Sequence, residues 1–156
     1  MTIGSIRHEI LIDRSAAQVW AIAGDPTRLH EWFPGIVSCK VAGNQRVIVT
    51  GSGMAMPEEI IVNDPTMRRF QYRITAPVFK HHRGTVDVIA LDDNCCMVVY
   101  STEADPRTMA LTIAGGTAGA LDELKRQMEA ADTIEAADTI EAADTIEAAD
   151  TIDGGK

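Results

Sequence analysis

Cysteine is scarce in this chain of 156 residues, and the three that occur have no metal-binding spacing. Cys39, Cys95 and Cys96 form no CxxC pair and no Cys/His ligand pattern. Adjacent cysteines also rarely bond to each other, because the geometry of a disulfide is specific. The pattern therefore argues against a structural zinc site.

Long apolar runs are missing too. No stretch approaches the ~20 apolar residues that a membrane-spanning helix needs. The opening residues MTIGSIRHE also lack the apolar region of a secretory signal. We therefore expect no membrane insertion, and together with the cysteine pattern this predicts a reduced, cytoplasmic protein.

Positive charge is in deficit, but only at one end of the chain. The formal net charge is -9, and residues 129–156 hold nine acidic side chains against a single base, Lys156. The residues before them comprise 14 acids and 13 bases, so the body carries a net charge of only -1. A nearly neutral body offers no general attraction to nucleic acid or to an anionic membrane, and we expect no nucleic-acid partner.

Common catalytic and cofactor motifs are absent as well. The chain has no GxSxG or HExxH motif. Gly51-Ser52-Gly53 lacks the third glycine and the following helix of a dinucleotide-binding loop, and it predicts a hairpin turn instead. His81 and His82 are adjacent in a predicted strand, so they point to opposite faces and cannot bind one metal. We therefore predict no metal, nucleotide or other cofactor.

The beginning of the chain predicts one strand and two short helices. The strand has apolar residues at its even positions, Ile6, Ile10 and Ile12. His8 also lies at an even position, so we expect it to face inward. Ser15 is a candidate N-cap for a helix that Gly24 ends, and Pro26 suits the first turn of a second helix.

The middle of the chain alternates strand patterns with turn signals. Six further strands are predicted, at residues 36–41, 46–50, 54–62, 69–75, 79–91 and 96–103. Because the links between them are short, consecutive strands should pair in an antiparallel meander.

A long helix follows Pro106. Its apolar positions recur every three or four residues, at Met109, Ile113, Thr117, Ala120, Leu124 and Met128. The whole order predicts an α+β fold, in which a curved seven-stranded antiparallel sheet wraps around this helix. One helix cannot fill such a concave face, so either large side chains fill it or a cavity remains. Only seven aromatic residues are available, although methionines could fill much of the space.

Two stretches of sequence carry a family resemblance. The first has Val19, Trp20, Asp25, Leu29, Trp32, Pro34 and Ile36; the second has Gly53, Glu58, Ile60, Asp64, Arg69, Tyr72 and Ile74. Over residues 5–128 the chain resembles the START-like, helix-grip polyketide cyclase/dehydrase family of the SRPBCC superfamily. The resemblance implies a helix-grip fold with a cavity between the sheet and the last helix. We accordingly predict a START-like domain at residues 1–128.

The acidic segment at residues 129–156 is a separate feature. It consists of four identical EAADTI hexapeptides followed by DGGK. On a helix, successive isoleucines of the repeat lie roughly 120° apart, so Ile134, Ile140 and Ile146 form no apolar stripe. The segment is either a solvated appendage, helical or frayed, or a helix that binds a partner or a second copy of the chain.

Strand phase selects the candidate site residues. Glu58, Tyr72 and His82 each share a strand face with apolar neighbours and should point inward, where an acid, a phenol and an imidazole could act as general acids or bases. His30 and His8 are expected near the mouth. Tyr100 could not be assigned, because residues 96–103 are apolar at both parities. The predicted ligand-binding residues are Trp32, Glu58, Tyr72, His82, Met109 and Ile113.

These observations favour binding over catalysis, because the sequence supplies neither an activated nucleophile nor a metal. The first interpretation is a protein that binds a hydrophobic small molecule, lipid or polyketide-like. The alternative is a cyclase or dehydratase that uses Glu58, Tyr72 or His82. A third is a regulatory or stress partner protein that acts through its tail, which could also form a homo-oligomer.

Overall fold

The computed structural model of the protein describes the backbone of residues 3–150 and the side chains of residues 3–130. Within that range the elements are β1 (Gly4–Ile12), α1 (Ala16–Ala23), α2 (Leu29–Trp32), β2 (Ile36–Ala42), β3 (Gln45–Thr50), β4 (Ala55–Asp64), β5 (Arg69–Ile74), β6 (His81–Ala90), β7 (Cys96–Asp105) and α3 (Arg107–Asp150). The predicted α+β order of one strand, two short helices, six strands and one long helix is confirmed.

All seven strands form one antiparallel, curved sheet in the order β1-β7-β6-β5-β4-β3-β2. Strands β2 to β7 follow each other as a meander, as predicted. The chain must cross from one edge of the sheet to the other between β1 and β2, and α1 and α2 make this crossing. Between β3 and β4 a tight turn has Gly53 at φ 84°, a conformation that favours glycine, so the predicted hairpin is confirmed.

The predicted N-cap of α1 and the predicted inward face of β1 are both present in the structure. The Ser15 hydroxyl accepts a hydrogen bond from the backbone of Gln18 at 3.3 Å, and the Gln18 side chain accepts one from the Ser15 backbone, which together form a capping box. In β1 the even positions face inward, so Ile12 is fully buried while Leu11 is half exposed.

Helix α3 packs chiefly against β1 and β7. Its stripe at Thr117, Ala120, Leu124 and Met128 is buried, as the helical period predicts. Since the helix lies toward the β1–β7 edge, it leaves part of the concave face over β3, β4 and β5 uncovered. None of the described helices combines the length and apolar character needed to cross a membrane. The isoleucine faces predicted for the acidic segment lie outside the described side chains.

Candidate ligand-binding site

A cavity of ≈ 230 Å³ lies between the concave face of the sheet, the α2–β2 turn and the first half of α3. Most of its lining is apolar, and its lining residues are Leu29, Phe33, Pro34, Gly35, Ile36, Ile48, Thr50, Met56, Glu58, Tyr72, Ile74, Tyr100, Thr112, Ile113 and Gly116. Side chains that alternate across β3, β4 and β5 supply the sheet wall, and residues one turn apart on α3 supply the helix wall. Three of the lining residues bring ionisable groups into this apolar space: Glu58, Tyr72 and Tyr100.

Two tyrosines form a hydrogen-bonded pair in the sheet wall. The hydroxyl groups of Tyr72, on β5, and Tyr100, on β7, are 2.7 Å apart. Gly84 of β6 makes this pairing feasible, because a Cβ built there would overlap the Tyr72 ring that lies across the strand. Burial raises the pKa of Tyr100 to about 12 and holds the pKa of Tyr72 well above its ordinary value. Both phenols therefore keep their protons at neutral pH and can donate hydrogen bonds.

The carboxylate of Glu58 is held by a buried guanidinium. Arg46 Nε lies 2.6 Å from Glu58 Oε2, and both side chains are only 2% exposed. The guanidinium also lies over the rings of Phe70 and Tyr72, 5.1 and 4.9 Å from their centroids. Burial raises the pKa of Glu58, and the charge of Arg46 opposes that rise. Glu58 thus presents one half of an ion pair to the cavity rather than a free acid.

Arg46 was not predicted from the sequence. Its strand has Ile48 on the same face, but Val47 and Val49 are equally apolar on the other face, so phase alone cannot place the arginine inside. The same ambiguity of phase applies to Tyr100, which is 1% exposed. In both strands the apolar residues of the outer face are partly exposed, which the sequence pattern does not reveal.

The imidazole of His82 is engaged by the backbone. Its Nδ1 accepts a hydrogen bond from the Ile74 N–H at 3.0 Å, and its ring packs against Tyr72 and Phe79 with centroid separations of 5.5 and 5.4 Å. Burial, and then the neighbouring His81, lowers the pKa of His82 from 6.5 to about 4. His82 is therefore neutral at physiological pH, with its proton on Nε2.

The structure brings together part of the predicted set. Glu58, Tyr72 and Ile113 line the cavity, whereas the other three predicted ligand-binding residues, Trp32, His82 and Met109, lie outside its lining. Trp32 is 2% exposed and packs with its ring centroid 6.2 Å from that of Tyr100.

Of the two histidines expected near the mouth, His8 is half-buried in β1 and His30 is exposed on α2, and neither lines the cavity. Within the described part of the chain, no three His, Cys, Asp or Glu side chains are grouped so that they could hold a metal ion.

A curved antiparallel sheet that packs around a long C-terminal helix defines the helix-grip class of fold. Residues 4–129 match the sequence model of the family described as polyketide cyclase / dehydrase and lipid transport. The chain belongs to this family. No curated protein matches the sequence.

Solved structures agree on the fold. The protein XoxI from Bacillus cereus has a TM-score of 0.75 at 21% identity, covering 80% of this chain and 95% of that one. The ZhuI aromatase/cyclase from Streptomyces sp. R1128 has a TM-score of 0.67 at 17% identity, covering 82% and 94%. Norcoclaurine synthase from Thalictrum flavum has a TM-score of 0.67 at 16% identity, covering 84% and 97%. At these identities the similarity establishes a shared fold and not a shared activity.

Proposed function

We propose that this protein binds a compact, mostly apolar small molecule in the cavity between the sheet and α3, with a polar group of the ligand directed at Glu58, Tyr72 and Tyr100. The observation that carries the proposal is the composition of the cavity wall. Apolar side chains form most of it, and the ionisable groups converge from β4, β5 and β7. Small-molecule sites in proteins commonly have this division between an apolar wall and a few placed polar groups.

The polar groups define the ligand's polar end. Because one phenol of the tyrosine pair donates to the other, the pair leaves one hydroxyl proton for the ligand, while the Glu58 carboxylate, paired with Arg46, offers an acceptor. A hydroxyl or carbonyl oxygen of the ligand suits this set. A ligand carboxylate does not, because it would lie against the Glu58 carboxylate in an apolar space.

The volume limits the ligand's size. At ≈ 230 Å³ the cavity lies below the ~300 Å³ at which pockets for drug-sized ligands begin. A single-ring or bicyclic phenol or ketone, or a short acyl chain, therefore fits better than an extended polycycle.

Calorimetric titration tests the proposal with a panel of phenols, aromatic ketones and short-chain alcohols. Ile113→Trp fills the space from the helix side, and we expect it to weaken binding by at least about tenfold. Leu111→Trp is the matched control, because Leu111 lies on the same helix but is 63% exposed. If no compound binds, or if both tryptophan variants bind as the native chain does, the proposal fails.

The second candidate function is a cyclase or dehydratase reaction on a carbonyl compound. The paired phenols favour it, since a protonated Tyr72 beside Tyr100 can donate a proton or a hydrogen bond to a carbonyl oxygen. The family description and the aromatase/cyclase fold neighbour make it the enzyme class to test. His82 is a poor partner in that reaction, because Nδ1 is occupied by the Ile74 N–H and the side chain does not line the cavity.

Turnover separates the two functions. Each compound that binds is incubated with the native chain, and the mixture is analysed by mass spectrometry for loss of water or ring closure. For an enzyme, Tyr72→Phe should lower the rate by roughly 10²-fold, well beyond the loss of affinity that removing one ligand hydrogen bond causes. A binding protein should return every compound unchanged.

A further inference from the structure

The pairing between β5 and β6 stops before the two strands end. The antiparallel register runs from Arg69↔Asp87 to Tyr72↔Gly84 and does not continue to Ile74 and His82. Had it continued, the Ile74 N–H would have met a backbone carbonyl of β6. It donates instead to the imidazole Nδ1 of His82, so a side chain occupies the place of a ladder partner.

A polar cleft is present at this open end of the ladder. It consists of two adjoining depressions of ≈ 440 and ≈ 320 Å³ that share Arg73, His81 and His82. The first depression is also lined by Asn44, Glu59, Ile60, Ile61 and Arg83, and the second by Ile74, Thr75, Phe79 and Lys80. The cleft is separate from the apolar cavity, which neither His82 nor Arg73 lines.

His82 provides a buried donor without a partner in this cleft. Because Nδ1 accepts a hydrogen bond from the Ile74 N–H, the neutral ring carries its own proton on Nε2. The side chain is 4% exposed, and Nε2 is buried with no hydrogen-bond partner among the described residues. An unpartnered buried donor costs free energy, so an acceptor is expected at this position.

The surroundings favour an acceptor with negative charge. The cleft is lined by the cations Arg73, Lys80 and Arg83 and by one carboxylate, Glu59, which pairs with Arg73. Glu103 and Asp105 lie across from Arg83 and His81 on β7, outside the lining. Lys80 and Arg83 form no salt bridge with any described residue. The lining itself therefore carries a positive balance.

We propose that this cleft binds a small oxyanion, a phosphate or phosphomonoester, which accepts a hydrogen bond from His82 Nε2 and pairs with Lys80. Arg83 follows His82 on β6 and has the opposite phase, so it adds positive charge to the cleft rather than a second direct contact. The site lies at the opening between β5 and β6 and does not depend on any ligand in the apolar cavity. Phosphate oxygens can accept from a buried imidazole and from a side chain at the rim of the cleft at the same time.

Inorganic phosphate titrated into the full chain tests the site, with the ¹⁵N-labelled imidazole of His82 observed by NMR. We expect a saturable shift of the Nε2–H signal and a rise in the pKa of His82, and no such shift from chloride at matched ionic strength. Lys80→Gln with Arg83→Gln should weaken phosphate binding by about tenfold or more, because each substitution removes a positive charge from the cleft. These side chains are exposed, so the variant should fold.

Two further variants sharpen the result. His82→Asn keeps an oxygen that can accept from Ile74 but removes the Nε2 donor, and we expect the saturable phosphate binding to be lost. Arg69→Gln is the matched control, because Arg69 lies on the adjacent strand β5, pairs with Asp87 and does not line the cleft; phosphate binding should be unchanged.

The source of the phosphate is a separate arm of the experiment. Vesicles containing phosphatidic acid, compared with phosphatidylcholine vesicles, test whether a lipid headgroup occupies the site, and binding of either phosphate source supports it. The proposal is overturned if neither source binds, or if chloride reproduces the shift, or if the Lys80 and Arg83 variant binds phosphate like the native chain.

Discussion

The two walls of the apolar cavity are built on different principles. The sheet wall places polar side chains that are buried and mutually bonded, with Arg46 on Glu58 and Tyr72 on Tyr100. The helix wall offers only Thr112, Ile113 and Gly116, within a segment of α3 that also contains Gly115 and Gly119. We infer that the sheet wall orients the ligand and contributes most of the stability. The helix wall should tolerate substitutions better.

Breaking the buried ion pair should have the largest effect. Arg46→Ala leaves the Glu58 carboxyl group without its partner in the interior, and we expect the free energy of unfolding to fall by about 3–5 kcal/mol. Chemical denaturation measures this change. Replacing both residues, Arg46→Leu with Glu58→Leu, should recover most of the loss.

The exposed pair between Arg73 and Glu59 is the control, since Arg73→Ala should cost less than about 1 kcal/mol. Equal losses from Arg46→Ala and Arg73→Ala would remove the distinction between a buried sheet wall and an ordinary surface pair.

His82 should make stability depend on pH. Its pKa in the folded chain, about 4, lies below the ordinary 6.5, so the unfolded chain takes up the proton first as the pH falls. The stabilisation is complete above about pH 6.5 and should decline by roughly 3 kcal/mol by pH 4.

In His82→Asn this part of the decline should be absent, and the difference between the two denaturation profiles isolates it from the titration of carboxyl groups. Parallel profiles for the two proteins between pH 7 and pH 4 would contradict the buried, neutral assignment of His82.

The glycines of α3 provide a smaller effect of opposite sign. A Cβ at Gly115 or Gly119 would meet no atom within 4 Å, so Gly115→Ala and Gly119→Ala should each stabilise the protein by about 1 kcal/mol. Gly116→Ala should gain less or lose stability, because its Cβ would lie 3.0 Å from the ring of Phe33. Thermal melts of the three variants rank their stabilities. An equal rise in Tm for all three would show that the Phe33 ring does not oppose a Cβ at Gly116.

Removing the acidic segment should have the smallest effect. We predict that truncation after Met128 leaves the domain folded, with a fall in Tm of a few degrees from the loss of Glu129, which accepts hydrogen bonds from Lys125 and from the Asp13 backbone. Truncation after Ala130 keeps those contacts and should leave Tm nearly unchanged. A fall of more than about 10 °C in both would refute the appendage interpretation. Light scattering on the same pair tests whether the segment forms oligomers.

The buried face of an element can be predicted from the sequence where its apolar residues follow a single period. The helical stripe of α3 and the inward phase of Glu58, Tyr72 and His82 follow from apolar neighbours on one face. Arg46 and Tyr100 could not be assigned, because their strands are apolar on both faces and only the packed structure shows which face is covered. The bond from Ile74 to His82 also could not be predicted, since it depends on where the β5–β6 ladder opens.

Methyl NMR of the ligand-saturated protein tests the central claim most directly. The account predicts contacts between the ligand and the methyl groups of Ile48, Ile74 and Ile113, which line the cavity from the sheet and from the helix. The methyl groups of Ile89, which is 47% exposed and outside the cavity lining, should show none. Contacts confined to Ile89 or to Ile61, with the three cavity isoleucines silent, would contradict a ligand held between the sheet and α3.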